Sequence, residues 1–411
     1  MDKNVLKVCI GFATGRKHFQ KVLRSYIYNW KESGLVDNAN VSLNLFVAYD
    51  LNYMGTKRTD YTAIPADIDE FIDSRHFIGQ EEVEEAKRLL VENGIIGTRE
   101  ASLMFQKGYA SSRNIILYEA IRNKMDCVLF LDDDEYPMAV TRNPETALWS
   151  GQHVLKTHLA NIANADITYG HHCGYISPIP SLEYSENLKE EDFRSYIQAI
   201  SNDIVNWDTI QKVIANGGVT YADSAVLANG EIVEVQEVKH AKFISGSNLC
   251  INLTKPERVF PFYNPPGARG EDTFLSTCLS DRKVLRIPCY AFHDGFASYK
   301  HLLSGVLPTK LKPIKADSEL IVKRFYNACI GWTRYKPLLM YITDRDSYEN
   351  KISEMERNLN HTLPLVCDYF NTTIFYNVLK ELHSYDKNVK KHYSEFMEIK
   401  DIWSEMTNSL L

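Results

Sequence analysis

Three aspartates and a glutamate stand side by side in VLFLDDDEYP, residues 128–137. Like charges this close repel and raise one another's pKa, so Asp132, Asp133, Asp134 and Glu135 require a positive partner. An Asp-x-Asp pair at a strand end presents oxygens to a divalent cation, and Mg2+ and Mn2+ suit such oxygen sites. These ions keep positions open for water or substrate phosphates, so the pair points to a nucleotide diphosphate held through a metal. The plainer alternative is a solvated acidic turn that does no chemistry.

The surrounding elements must position this cluster. Val128, Leu129, Phe130 and Leu131 read as a buried strand that feeds straight into it. Upstream, VLKVCIGFA (5–13) reads as a strand, HFQKVLRSYIYNW (18–30) as a helix and VSLNLFVAYD (41–50) as a second strand ending on Asp50. That alternation is the grammar of a parallel sheet. EEVEEAKRLLVENG (81–94) and ASSRNIILYEAIRNK (110–124) read as helices, the second with Ser111 and Ser112 as N-caps. Ligands of open α/β sheets bind beyond the carboxyl ends of the strands, which puts Asp50 and the acidic cluster on one functional edge.

Further on, QHVLKTHLANIAN (152–164) predicts a helix and ADITYGHH (165–172) a strand. Glu190 to Asn216 reads as a polar helical stretch, and EIVEVQEVKHAKFI (231–244) alternates as a half-exposed strand does. Residues 316–411 carry helical spacing instead, as in Tyr348, Ile352, Met355 and Leu359, then Val378, Leu382, Tyr385 and Val389. This divides the chain into an α/β part, 1–308, and a helical C-terminal region, 309–411, of four helices. Its stripes are expected to pack on one another and on the α/β body.

The 411 residues are 45% hydrophobic and 24% charged with a net charge of -7, which leaves no basic excess for duplex nucleic acid. No apolar stretch approaches the roughly 18 residues of a membrane helix, and MDKNVLKVCIGF lacks a signal-peptide layout. A cytoplasmic location is therefore expected, with membrane contact at most peripheral. The eight cysteines lie far apart in apolar runs and read as reduced, buried thiols. The N-x-[ST] triplets at Asn252 and Asn371 then carry no meaning as glycan sites.

Four segments in order, GYASSRNIILYEAIRNKMDCVLFLDDDEYP (108–137), FISGSNLCINL (243–253), GARGEDTFLS (267–276) and YAFHDG (290–295), give the chain a family resemblance. Over about residues 5–300 it resembles a family 2-like glycosyltransferase of the GT-A fold, the nucleotide-sugar-dependent class. The resemblance implies an α/β fold, a GT-A Rossmann-like mixed sheet flanked by helices, with the C-terminal helices as an extension.

It also implies a bound Mn2+ or Mg2+, with Asp132, Asp134 and His293 as metal ligands and Asp132 near the ribose. Asp133 joins the donor-binding set, although strand alternation points it to the other side of the strand end. Arg113, at a helix start, would meet a donor phosphate. Thr14 and Arg16, with Asp50 on the second strand, would line the base and ribose of a UDP- or GDP-linked sugar. The segment FATGRKHF lacks the Pro and Asn that family 2 places there, which leaves the base open.

In inverting members the carboxylate of the Glu-Asp element deprotonates the acceptor hydroxyl. That role falls to Asp272, with Glu271 holding the acceptor. A retaining outcome would not need Asp272 as base, and an acidic helix N-terminus favoured by the helix dipole accounts for the pair without chemistry. His171, His172 and Tyr175 are expected near the acceptor, and the loop YNPPGARGED is expected to close over the site.

The function this implies is metal-dependent transfer of a sugar from a nucleotide-diphosphate donor to a hydroxyl acceptor on a glycan, a lipid-linked glycan or a small metabolite. A nucleotidyltransferase acting on sugar phosphates is the enzymatic alternative, though FATGRKHF has only one glycine after Phe12 where such enzymes carry a Gly-rich basic loop. Tyr136 argues against a D-x-D-x-[TV] phosphatase. A sugar-binding or scaffold protein is the non-catalytic alternative. No nucleic-acid partner is expected, and a homo-oligomer through the C-terminal helices ranks above membrane contact.

Overall fold

A computed structural model of the chain describes residues 5–143, 146–201 and 207–411. Its strands are β1 (Leu6–Thr14), β2 (Val41–Tyr49), β3 (Ser74–Ile78), β4 (Cys127–Leu131), β5 (Glu135–Tyr136), β6 (Met138–Arg142), β7 (Ala147–Gly151), β8 (Ile167–Gly174), β9 (Val233–Glu234), β10 (Leu249–Asn252) and β11 (Val284–His293). Among the described residues nine of them form one sheet in the order β3-β2-β1-β4-β10-β8-β11-β5, with β9 against β11. β3, β2, β1 and β4 pair in parallel, β10 runs antiparallel to both β4 and β8, and β8 and β11 are parallel. The protein is thus α/β with a large mixed sheet. β6 and β7 form a separate antiparallel ribbon.

Strand alternation sets the two faces. In β4, Val128 and Phe130 enter one core, together with helices Gln80–Glu92, Thr98–Met104 and Tyr109–Arg122, while Cys127, Leu129 and Leu131 enter the other, with helices Phe19–Glu32 and Val154–Ile162. The same parity carries into the acidic cluster beyond Leu131.

The C-terminal region forms helices Glu319–Thr343, Tyr348–Tyr369, Asn377–Lys387 and Val389–Asn408. They share the first core with the sheet: Phe396 packs on Tyr263 and Phe274, and the Trp403 indole N–H donates to the Val259 carbonyl at 2.9 Å. The predicted stripes face inward, with Tyr385 only partly buried. The buried Lys336 ammonium donates to the carbonyls of Gln198 (2.7 Å) and Ala199 (3.1 Å) at the end of helix Glu190–Ile200, where the helix dipole favours a cation. Among the described residues no helix is long and apolar enough to cross a membrane.

Three sequence readings change. Of the strand expected over 231–244 only Val233–Glu234 pairs, because Val233 and Val238 have no layer to bury them and a left-handed turn at Lys239 and His240 reverses the chain. The helix of Arg113 begins at Tyr109, since Gly108 adopts a φ of 127° that suits glycine, so Ser111 and Ser112 lie inside the first turn instead of capping it. The polar stretch from Glu190 divides into Glu190–Ile200 and Trp207–Ala215, with 202–206 outside the described residues. All eight cysteines are buried and unpaired, as expected.

A buried polar triad ties β8 to β10: His158 Nδ1 lies 2.7 Å from Thr168 Oγ1 and Nε2 lies 2.9 Å from Asn248 Oδ1. Burial pushes the His158 imidazole down to about 4, against the opposing hydrogen bond from Asn248. The unfolded chain therefore binds the extra proton first. Stability is intact above pH 6.5 and falls as pH drops toward 4, by on the order of 3 kcal/mol from this residue. Urea denaturation across that window is expected to show the loss, with His158→Gln removing this part of it.

Candidate active site

The end of β4 gathers charge from five segments. Asp132 keeps the parity of Phe130 and faces Arg113, whose Nη2 lies 3.3 Å from its Oδ1. Asp133 points the opposite way, as alternation requires: it accepts from Thr14 Oγ1 (2.5 Å) and from Arg16 Nη1 (2.8 Å). The same Arg16 Nη1 donates to Asp134 Oδ2 at 2.5 Å, and His293 Nε2 lies 3.5 Å from that oxygen. Glu135 Oε1 accepts from Ser247 Oγ (2.8 Å) and lies 3.3 Å from His172 Nε2, while its Oε2 has no partner among the described residues. The positive partners that the cluster requires are thus Arg113, Arg16 and His293.

Backbone pairing fixes these side chains. β5 and β11 set Glu135 opposite His293, and the Asp294 N–H donates to the Asp134 carbonyl at 2.9 Å. The Asp294 carboxylate in turn accepts from the N–H groups of Ser298 (2.9 Å) and Tyr299 (2.7 Å), which closes the turn after β11.

Electrostatics sort the carboxylates. Burial pushes Asp134 up, but His293 and Arg16 outweigh it and hold the carboxyl well below the usual range. Burial pulls His293 down, but Asp134 and then Glu135 outweigh it and carry the imidazole up to about 9. Burial moves Asp132 up to about 7, opposed by Arg113 and reinforced by Glu135, Asp134 and Asp133. Neighbours whose proton affinities are driven this far apart are characteristic of functional sites, although structural ion pairs do the same.

A second group adjoins the first through Arg113. Its guanidinium lies over the rings of Phe130 (5.1 Å) and Phe262 (5.4 Å), donates to the Gly246 carbonyl, and brings Nε to 3.5 Å from Glu271 Oε1. Asp272 follows Glu271 at the start of helix Glu271–Ser276, where the Thr273 N–H donates to its Oδ1 at 2.8 Å. Gly246 lies against both Asp272 and Arg113: a Cβ there would stand 3.3 Å from Asp272 Oδ2 and 3.4 Å from Arg113 Nη2. Burial and then Glu271 push Asp272 up to about 6, against Arg113 and the Thr273 N–H.

The loop before Glu271 is held by the C-terminal helices. Arg334, paired with Glu381 at 2.9 Å, donates to the Gly267 carbonyl at 2.8 Å; Tyr385 donates to the Pro266 carbonyl at 2.5 Å; and Gly270, at φ 91°, lies against the Tyr335 ring. The expected closing loop is therefore clamped in this structure.

The expected residues do not all meet. Asp134 and His293 stand together, but Asp132 turns to Arg113, and among the described residues no three His, Cys, Asp or Glu side chains form a ready metal cage. Thr14 is buried and holds Asp133 rather than lining a nucleotide space. Asp50 is exposed at the end of β2; its N–H donates to the Thr14 carbonyl at 3.0 Å and its carboxylate accepts from Asn52. Of the acceptor candidates, His172 adjoins the cluster and His171 lies tilted against the Tyr290 ring, whereas Tyr175 is fully buried and bonded to Tyr299 and Lys312, out of reach of an acceptor.

A cleft of about 390 Å³ opens beside Asp134, lined by Arg16, Lys17, His18, Asp294, Phe296 and Arg324 among others. Three of its neighbours escaped the sequence reading. Arg324 belongs to the C-terminal helical region, and nothing in its local sequence ties it to a site 190 residues earlier. Tyr53 and Tyr109 are exposed, and Tyr53 lies against Gly15, next to Arg16. A roomier groove of about 620 Å³ lies between Ala316–Tyr326 and the Phe370–Ile374 turn, away from this chemistry.

The chain matches no protein-family model and no curated protein.

Proposed function

We propose that this protein is a nucleotide-sugar-dependent glycosyltransferase of GT-A type, transferring the sugar to a hydroxyl acceptor with inversion. One observation carries the reading. The acidic run that carries Asp134 beside His293, and the Glu271–Asp272 pair, come from separate segments to the carboxyl end of β4, where Arg113 bridges Asp132 of the run to Glu271.

Asp134 and His293 fit a divalent cation as a two-residue edge: a half-buried carboxylate and an imidazole face each other beside an open cleft, and the imidazole would give up its proton to take the metal. Asp132 is not part of that edge. When bound, Mn2+ or Mg2+ would stabilise the negative charge on the departing nucleoside diphosphate. Arg16 now neutralises the same carboxylates, so it must share or yield that place and is positioned to meet the diphosphate.

Arg113 holds Asp132 and Glu271 in register, which places the donor-side and acceptor-side carboxylates in one rigid unit. Asp272, with its proton affinity raised to about 6, is suited to take the acceptor proton near neutral pH. Tyr53 and Tyr109 offer faces on which a base can stack.

The ion pairs of Arg16 favour a second reading. Under it the cluster is a self-neutralised structural network, and the protein binds sugar or acts as a scaffold without catalysis. Thermal denaturation against UDP-, GDP- and CDP-sugars, with Mn2+ and with chelator, separates the two. The transferase reading predicts that one nucleotide class stabilises only with metal, by about 2.7 kcal/mol at a hundredfold excess over its dissociation constant. Equal stability in every condition would favour the scaffold.

A further inference from the structure

We propose that Arg324, on the C-terminal helix Glu319–Thr343, binds the diphosphate of the donor, so that the helical region completes the donor site instead of merely packing beside it. This rests on the transferase reading above.

The placement is specific. The Arg324 guanidinium lies 4.2 Å over the Phe296 ring in the turn that follows His293. A Cβ on Gly295 would come within 2.3 Å of Arg324 Nη2 and within 2.9 Å of His293 Cε1, so only glycine there lets the guanidinium settle beside the imidazole. Arg324 and Asp134 line the same cleft.

Its bonding is incomplete. Arg16 forks between Asp133 and Asp134, and Arg334, ten residues further along Arg324's helix, pairs with Glu381. Arg324 makes the ring contact, and among the described residues no carboxylate lies within ion-pair distance of it. Burial lowers its proton affinity, and the nearby Arg16 and Arg269 lower it further against Asp134 and Asp294. A guanidinium presents a planar fork of donors that matches two phosphate oxygens.

The helix is oriented for this role. Leu320, one turn before Arg324, lines the same cleft and is 75% exposed; Met54, also in the lining, is 63% exposed. These two side chains make an apolar lip that a bound nucleotide would cover.

The test is calorimetric titration of the full chain with UDP, GDP and inorganic pyrophosphate in the presence of Mn2+. The expected result is that Arg324→Ala weakens every diphosphate the wild type binds by roughly tenfold or more, pyrophosphate included, with an unchanged melting temperature. Arg324→Lys should recover part of the affinity. Arg324→Gln, which keeps the side-chain length, should repeat the loss and serves if the alanine variant folds poorly. Wild-type affinity for the diphosphates in the alanine or glutamine variant would overturn the assignment while leaving the transferase reading in place. A wild type that binds none of the three would overturn both.

Discussion

Asp134→Asn is expected to abolish metal-dependent binding of the nucleotide sugar and to lower turnover by roughly a thousandfold. Asparagine keeps the volume of the side chain, so the turn between β4 and β5 can persist. What it removes is the negative charge shared by Arg16 and His293. His293 then loses its principal counter-charge and its proton affinity falls from about 9 toward the ordinary value of 6.5, a shift visible in the NMR titration of the imidazole. Arg16 retains Asp133, which limits the damage to the fold. Full activity in this variant would leave the cluster as a structural ion-pair network.

Asp272→Asn should produce the second large effect, of a different kind. Removing a general base lowers the rate by about 10²–10⁴-fold, and nucleotide binding should stay near wild type because Asp272 adjoins Gly246 and Glu271 instead of the Asp134–His293 pair. The pH dependence identifies the group. A base must be ionised, so kcat in the wild type should rise with pH through about 6 and level above it. The variant should lack that acidic limb. Glu271→Gln is expected to raise KM more than it lowers kcat, because Glu271 faces Arg113 and fits the role of acceptor holder. The reverse pattern would move the base to Glu271.

Much of this arrangement was legible in the sequence because it follows from local rules. The apolar run before Asp132 had to be a buried strand, and alternation correctly sent Asp132 and Asp133 to opposite sides. The strand-helix-strand opening gave the parallel half of the sheet, and the 3.6-residue stripes gave the four C-terminal helices. The requirement for positive charge at the cluster was also readable from its four carboxylates.

What escaped depends on long-range contact. Arg16 was read as a ribose contact because only the fold brings it within 2.8 Å of Asp133, across 117 residues. Arg324 and the clamp of Arg334 and Tyr385 on the 266–267 backbone lie in a region whose periodicity reports burial and is silent about what the polar side chains reach. Tyr175, expected near the acceptor, follows β8 and faces inward to Tyr299. The alternation of 231–244 failed for the converse reason: contact with β11 ends at Val235, whose N–H donates to the Val284 carbonyl, and the left-handed turn at Lys239 and His240 then reverses the chain.

The proposed transferase would break the sugar–diphosphate bond of a nucleotide sugar at the Asp134–His293 edge. The most direct measurement of this step is ion-exchange chromatography of UDP- and GDP-sugars incubated with the protein and Mn2+, with water or an added sugar as acceptor. The expected result is release of the nucleoside diphosphate, lost on chelation and in Asp134→Asn. Donors that stay intact across the panel, or a nucleoside triphosphate formed when pyrophosphate is supplied, would contradict it.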